Sequence, residues 1–267
     1  MSWQSALGGA LPRWACASQR ALKSDHPPRR VQITTTGDTV LLFPRALGFG
    51  SMQTRSEALL RRVSLLPAFS TVVFACLYAL AAWVYPGGTK GDPHRVGFSL
   101  VDNYWCDLLD GTTYGGRPNP SRPIAQVATV VLCAGLSVLW WTVPTLFPGA
   151  RRRVRLVRSA GLASVVLTPF VGTSLHDLAI DSAAPLGTIA FAATMSAMGK
   201  GGGRAWTFLA WSALSLSVVT FLIWRTGTGL RLLPLVQKAA FGTMLGWIVL
   251  TSRRVAGTAA GTRAPEG

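Results

Sequence analysis

Two stretches of this chain hold the side chains that could do chemistry. The first is VDNYWCDLLDGTTYGGRPNPSRP, Val101 to Pro123, with Asp102, Asp107 and Asp110 among the ten acidic residues of a protein of formal charge +16. The second is the corner at His176 and Asp177, with Asp181 four residues further on. Carboxylates beside an imidazole can pass protons, ligate a metal or hold a polar headgroup. Spacings of three and four place Asp107 with Asp110, and Asp177 with Asp181, on common helical faces. The catalytic candidates are His176, Asp107 and Asp181. The ligand-binding candidates are Asp102, Asn103, Asp107 and Asp110 in the first stretch and His176, Asp177 and Asp181 in the second, with Lys238 in the last apolar run.

Each candidate has a plainer reading. Asp177 stands where an acidic residue caps a helix or complements its dipole. Asp181 falls one turn deeper, where an ionisable group inside a membrane bundle usually has a partner. Lys238 sits at a similar depth in the last helix, so the spacing predicts an Asp181–Lys238 pair; the alternative is that Lys238 snorkels outward. The loop itself reads as an ordered re-entrant segment sealing the bundle mouth. Gly111, Gly115 and Gly116 turn the chain in that segment, and Asn119 or Ser121 caps the helix that follows.

A metal site would draw on His94, Asp102, Asp107, His176 and Asp181. These offer only two histidines and no HxxxH or HExxH pattern, so no metal is assigned and no cofactor is identified. The four cysteines, Cys16, Cys76, Cys106 and Cys133, show no CxxC and no paired spacing. Cys76 and Cys133 lie in apolar runs as packing residues, and Cys106 alone is weak support for a nucleophile. The Gly199–Arg204 turn lacks the spacing of a phosphate-binding loop.

The elements that must position these residues are membrane helices. Hydrophobic residues make up 49% of the chain, charged residues only 13%, and the mean hydropathy is +0.36. Six runs reach the length needed to cross a hydrocarbon core: Ser64–Tyr85, Ile124–Phe147, Leu156–Ser174, Asp177–Met198, Ala205–Trp224 and Leu232–Thr251. The expected fold is all-α, a polytopic six-helix domain over residues 61–255, with a flexible tail at 256–267. Residues 1–60 read as a disordered basic arm, with translation from Met52 as the alternative. They show no signal peptide, because no continuous apolar stretch follows the start.

Arginine and lysine placement sets the orientation. The arm, the Arg151–Arg158 run, the Lys200/Arg204 turn and the Arg253/Arg254 tail alternate as one side and hold 19 of the 26 basic residues. That side, with both termini, is expected to be cytoplasmic. The loop and the His176 corner then face outward. Basic clusters between apolar runs, without a recognition helix or zinc-finger spacing, argue against nucleic acid as a partner.

Within the bundle, small residues should mediate helix contacts. Ala184, Thr188, Ala192 and Ser196 form a ridge on the fourth helix, and Gly242 and Gly246 a GxxxG step on the sixth. Packing within the chain is the favoured use of both, with a homo-oligomer as the rival. Pro144, Pro169 and Pro185 are expected to kink or begin helices. Trp140, Trp141, Trp206 and Trp224 are expected as interfacial anchors.

Four motifs, DNYWCDLLDG, NPSRP, the His176-Asp177 corner and LPLVQKAAFG, give a resemblance to a known group. From Met52 onward, about four-fifths of the chain resembles a bacterial six-helix membrane family known as domain of unknown function 998. That family is similar to the wider Frag/DRAM/Sfk group. The first 51 residues have no counterpart in it.

The family has no established activity, but some eukaryotic members of the wider group act in lipid remodelling of membrane anchors. The resemblance therefore implies an outward-facing lipid headgroup site at Asp102, Asp107, His176 and Asp181, in a multi-pass protein of the cell inner membrane. The expected function is binding or handling of a membrane lipid or small ligand. The alternatives are a membrane-embedded hydrolase, with or without a metal, and a scaffold or assembly partner.

Overall fold

A computed structural model describes residues 49–199 and 203–261 of the chain. Six α-helices follow in order: α1 Phe49–Val84, α2 Arg122–Thr142, α3 Arg151–Leu167, α4 His176–Met198, α5 Arg204–Thr226 and α6 Leu233–Gly261. Among the described residues no strand forms, only isolated bridges in the first loop. Each helix, counting the short turns that extend α2 and α3, is long and apolar enough to cross a membrane. The mean hydropathy of their best windows runs from 1.4 to 2.0.

The apolar residues are turned outward as much as inward. Only 17–39% of each span's window is buried, and Phe69, Trp83, Val166 and Phe208 are exposed. A water-soluble protein rarely carries so continuous an apolar exterior. The six-helix all-α architecture expected from the sequence is present.

Boundaries differ where the sequence signal is compositional. α1 begins at Phe49, so the last dozen residues assigned to a disordered arm, Met52 included, are helical. Gln53, Arg55 and Glu57 there lower hydropathy without lowering helix propensity, which extends a helix past its apolar part. Residues 1–48 and the tail from 262 lie outside the described residues, whereas 256–261 continue α6.

Pro144 and Pro169 each sit in a short 3-10 turn, Val143–Leu146 and Thr168–Gly172, that ends α2 and α3. Proline cannot supply the next α-type hydrogen bond, which accounts for the tighter winding there. Pro185 lies within α4.

The helices pack as the hairpins α1–α2, α3–α4 and α5–α6, with α1 also against α6 and α2 against α3. Consecutive α4 and α5 barely touch. One apolar cluster surrounds Trp247, with Trp140, Phe191 and Trp206 about its ring. The other lies under the first loop, where Phe74, Tyr78, Ala81 and Tyr85 meet Leu108, Leu109, Ala125 and Ala128.

Trp140 and Trp206 are therefore core residues and not interfacial anchors. Trp141 is exposed beneath the Arg158 guanidinium, 4.4 Å from the ring centroid. Of the Gly242–Gly246 step, Gly242 faces open space, whereas Gly246 meets Leu209 of α5 within the chain. The close approaches are at Gly135, which leaves no room for a Cβ beside Ser70 of α1, and at Gly161, which closes on the Trp140 ring.

Candidate functional site

The segment between α1 and α2 folds back on the bundle mouth. Gly87, at φ +119°, passes so close to the Arg95 carbonyl that no side chain fits. The Gly88 amide then donates to the Arg95 oxygen at 2.8 Å. This turn brings Phe98 edge-on to Tyr85 and aligns Ser99, Asp102 and Asn103 above α1.

Asn103 is fully buried and acts as a hub. Its Oδ1 accepts from the Ser99 amide at 2.9 Å, and its Nδ2 donates to Gly88 O at 2.9 Å and to Asp107 Oδ2 at 2.8 Å. Asp107, 2% exposed, is the second residue of the 3-10 turn Cys106–Leu109. Its carboxylate also accepts from the Tyr104 amide at 2.9 Å and the Tyr114 hydroxyl at 3.3 Å.

Asn119 closes the segment from the other side. It donates to the Asp107 and Asp110 carbonyls at 3.0 and 2.9 Å and accepts from the Ser121 amide. Buried polar groups demand this saturation, because each unmet partner costs about 1–3 kcal/mol.

α6 holds the segment down. Gln237 Oε1 accepts from the Trp105 amide at 2.9 Å. Lys238 donates to the Asn103 carbonyl and, at 3.2 Å, to Pro234 O. Its ammonium stands 5.5 Å from both the Phe98 and Trp105 ring centroids, a cation–π arrangement.

The expected Asp181–Lys238 pair does not form. Lys238 lies on the face of α6 turned to the loop, where a carbonyl and two rings take its charge. Asp181 reaches across to Arg225 near the end of α5, Nη1 to Oδ2 at 3.4 Å, with both side chains substantially exposed.

Burial sets the protonation of the loop. It raises the Asp107 carboxyl above its ordinary 3.8, against the lowering effect of the Asn103 and Tyr104 donors. It also raises Asp110, against the nearby His176 and Arg122 charges. Burial and the neighbouring carboxylates push the Cys106 thiol up to about 12, and burial with Asp107 pushes Tyr85 up to about 12. A thiol so disfavoured as thiolate is no nucleophile.

The candidates thus divide into three groups. Asp102, Asn103, Asp107 and Lys238 gather in the loop and its α6 clamp, with Asp102 on the rim paired to Arg95 at 2.8 Å. Asp110 lies within electrostatic reach of Arg122 and His176, at the beginnings of α2 and α4, where His176 Nδ1 contacts Asp177 Oδ1 at 2.8 Å. Asp181 is engaged by α5. His94 lies on an exposed turn, its amide donating to Asp92. Among the described residues no three His, Cys, Asp or Glu side chains gather as a metal-ligand set.

Arg122 was missed as a site residue because NPSRP reads as a helix lead-in. It is half-buried, donates from Nη2 to Gly172 O at 3.3 Å, and leaves its buried Nε without a partner. Among the described residues no carboxylate pairs with it. The available signal was a cation at the first position of a helix, where the dipole already favours an anion. The chain matches no family model, no curated protein and no solved structure.

Proposed function

We propose that this is a multi-pass membrane protein that holds an anionic group, on a lipid headgroup or a small ligand, at the mouth formed by Asp110, Arg122 and His176. The observation carrying this reading is the Arg122 guanidinium, half-buried, with no carboxylate at ion-pair distance among the described residues and an unpartnered Nε. A cation in that state gains from a phosphate or carboxylate, which a guanidinium grips with charge-assisted hydrogen bonds. The Asn103–Asp107–Asn119 network beside it supplies a stiff wall rather than reacting groups.

The placement of basic residues supports a cytoplasmic location for both termini and an outward-facing mouth, in a cell inner membrane. The resemblance to the six-helix family of unknown function belongs to the same proposal.

Binding of phosphatidylglycerol and of soluble glycerol 1-phosphate to the purified protein, followed by thermal shift, tests it. Stabilisation by either that Arg122→Gln abolishes supports the site, and the two compounds separate lipid from free anion. Equal responses of wild type and Arg122→Gln to both would refute it.

A further inference from the structure

A groove of about 710 Å³ opens between α4 and α5, at the end of α4 remote from His176. That volume lies in the range that takes one small-molecule ligand, about 300–1,000 Å³. Its walls are Ala192 and Ser196 of α4 and Trp206, Trp211 and Leu214 of α5, with Arg204 at its rim.

The groove exists because α4 packs on α3 and α5 on α6, leaving these two spanning helices apart. Ala192 and Ser196, half of the small-residue ridge, are exposed into that gap instead of meeting a helix. Trp206 does not fill it, since its ring is held inward by a 2.9 Å hydrogen bond from Nε1 to Thr251 Oγ1. Trp211, 59% exposed, stands at the bilayer side.

Arg204 and Arg254 both stand at this end. Arg204 is exposed, and among the described residues no carboxylate lies within ion-pair distance of it. The Arg254 guanidinium lies over the Trp206 ring, 5.7 Å from its centroid. An apolar slot open to the bilayer, with a cationic rim at the end of a spanning helix, complements one class of amphiphile. That class has a hydrocarbon chain for the slot and a phosphate for the rim.

We propose that the α4–α5 groove binds an anionic phospholipid of the bilayer, one acyl chain lying along Ala192 and Ser196 and the phosphate on Arg204. This site stands apart from the mouth at Arg122. A second copy of the chain is the competing occupant, since small residues also admit a neighbouring helix.

Native mass spectrometry of the full chain, incubated with equal amounts of phosphatidylglycerol and phosphatidylcholine of identical chains, tests the proposal. An Arg122→Gln background removes any lipid held at the other mouth. The expected result is one phosphatidylglycerol retained about tenfold over phosphatidylcholine, the scale of one charge-assisted contact. Arg204→Gln should bring the two lipids near parity, Arg204→Lys should keep the preference, and Ser196→Phe should lower retention of both. Equal retention without the Arg204 change, or selectivity that survives Arg204→Gln, would overturn it. So would a dimer that excludes lipid and separates on Ser196→Phe.

Discussion

Asp107 and Asp110 stand three residues apart around one short turn, yet their surroundings differ in kind. Asp107 spends its carboxylate on Asn103, the Tyr104 amide and Tyr114, inside a network that also anchors Asn119 and the Lys238 clamp. Asp110 feels the charges of His176 and of Arg122, whose buried Nε has no partner. The contrast separates acidity that builds the loop from acidity that borders an opening. Asn103, Asp107 and Asn119, whose side-chain polar atoms all find partners, are there for rigidity. Binding chemistry is expected at a half-buried cation such as Arg122, whose Nε has no partner.

Breaking the saturated side should have the largest effect. Asp107→Ala strands the buried Asn103 donor and removes the acceptor of the Tyr104 amide and the more exposed Tyr114 hydroxyl, at a cost of about 3 kcal/mol. The thermal unfolding midpoint in detergent should fall by several degrees, and an unchanged midpoint would contradict the network's structural role.

Next comes Lys238→Met, which removes the clamp on Asn103 and the two aromatic rings, a loss of about 1–2 kcal/mol. Hydrogen exchange at the Trp105 amide should quicken. In a double mutant with Asp181→Asn the effects should add, because the two residues share no contact; a coupling energy would restore the pair expected from the sequence.

The pH response sharpens the same contrast. Because burial raises the folded Asp107 pKa above the ordinary 3.8, the native state binds this proton more tightly than the unfolded chain. Its contribution is fully present below 3.8 and is lost as pH rises through the raised folded value. Unfolding midpoints across that window should therefore show a downward slope with rising pH that Asp107→Asn flattens. The smallest effect belongs to Asp181→Asn. An ion pair with side chains 56% and 39% exposed is screened and should change stability by less than about 1 kcal/mol.

Much of this was legible in the sequence, for definite reasons. Six apolar runs separated by polar or basic punctuation gave the six helices, because hydropathy responds to length and composition alone. The DNYWCDLLDG and NPSRP segments read as an ordered plug at the mouth, and Asn103, Asp107 and Asn119 do meet there, joined by Lys238, which had been expected to pair with Asp181.

What escaped depends on helix rotation and pairing. Trp140 and Trp141 are neighbours in sequence, yet one is buried and the other exposed, a distinction set by which way α2 turns. The partner of Asp181 depends on the lateral order of helices, which brings Arg225 of α5 beside it. Gly135 and Gly161 carry the close helix approaches without a GxxxG signature, since each needs only one bulky or hydroxyl neighbour opposite.

The most direct test of the central claim is a structure of the protein purified with its native lipids, resolved well enough to see the mouth between α2 and α4. The account predicts an anionic group within hydrogen-bonding distance of Arg122, beside Asp110 and His176, with the Asn103–Asp107–Asn119 network unchanged. An Arg122 side chain neutralised by a protein carboxylate, with no ligand at the mouth, would contradict it.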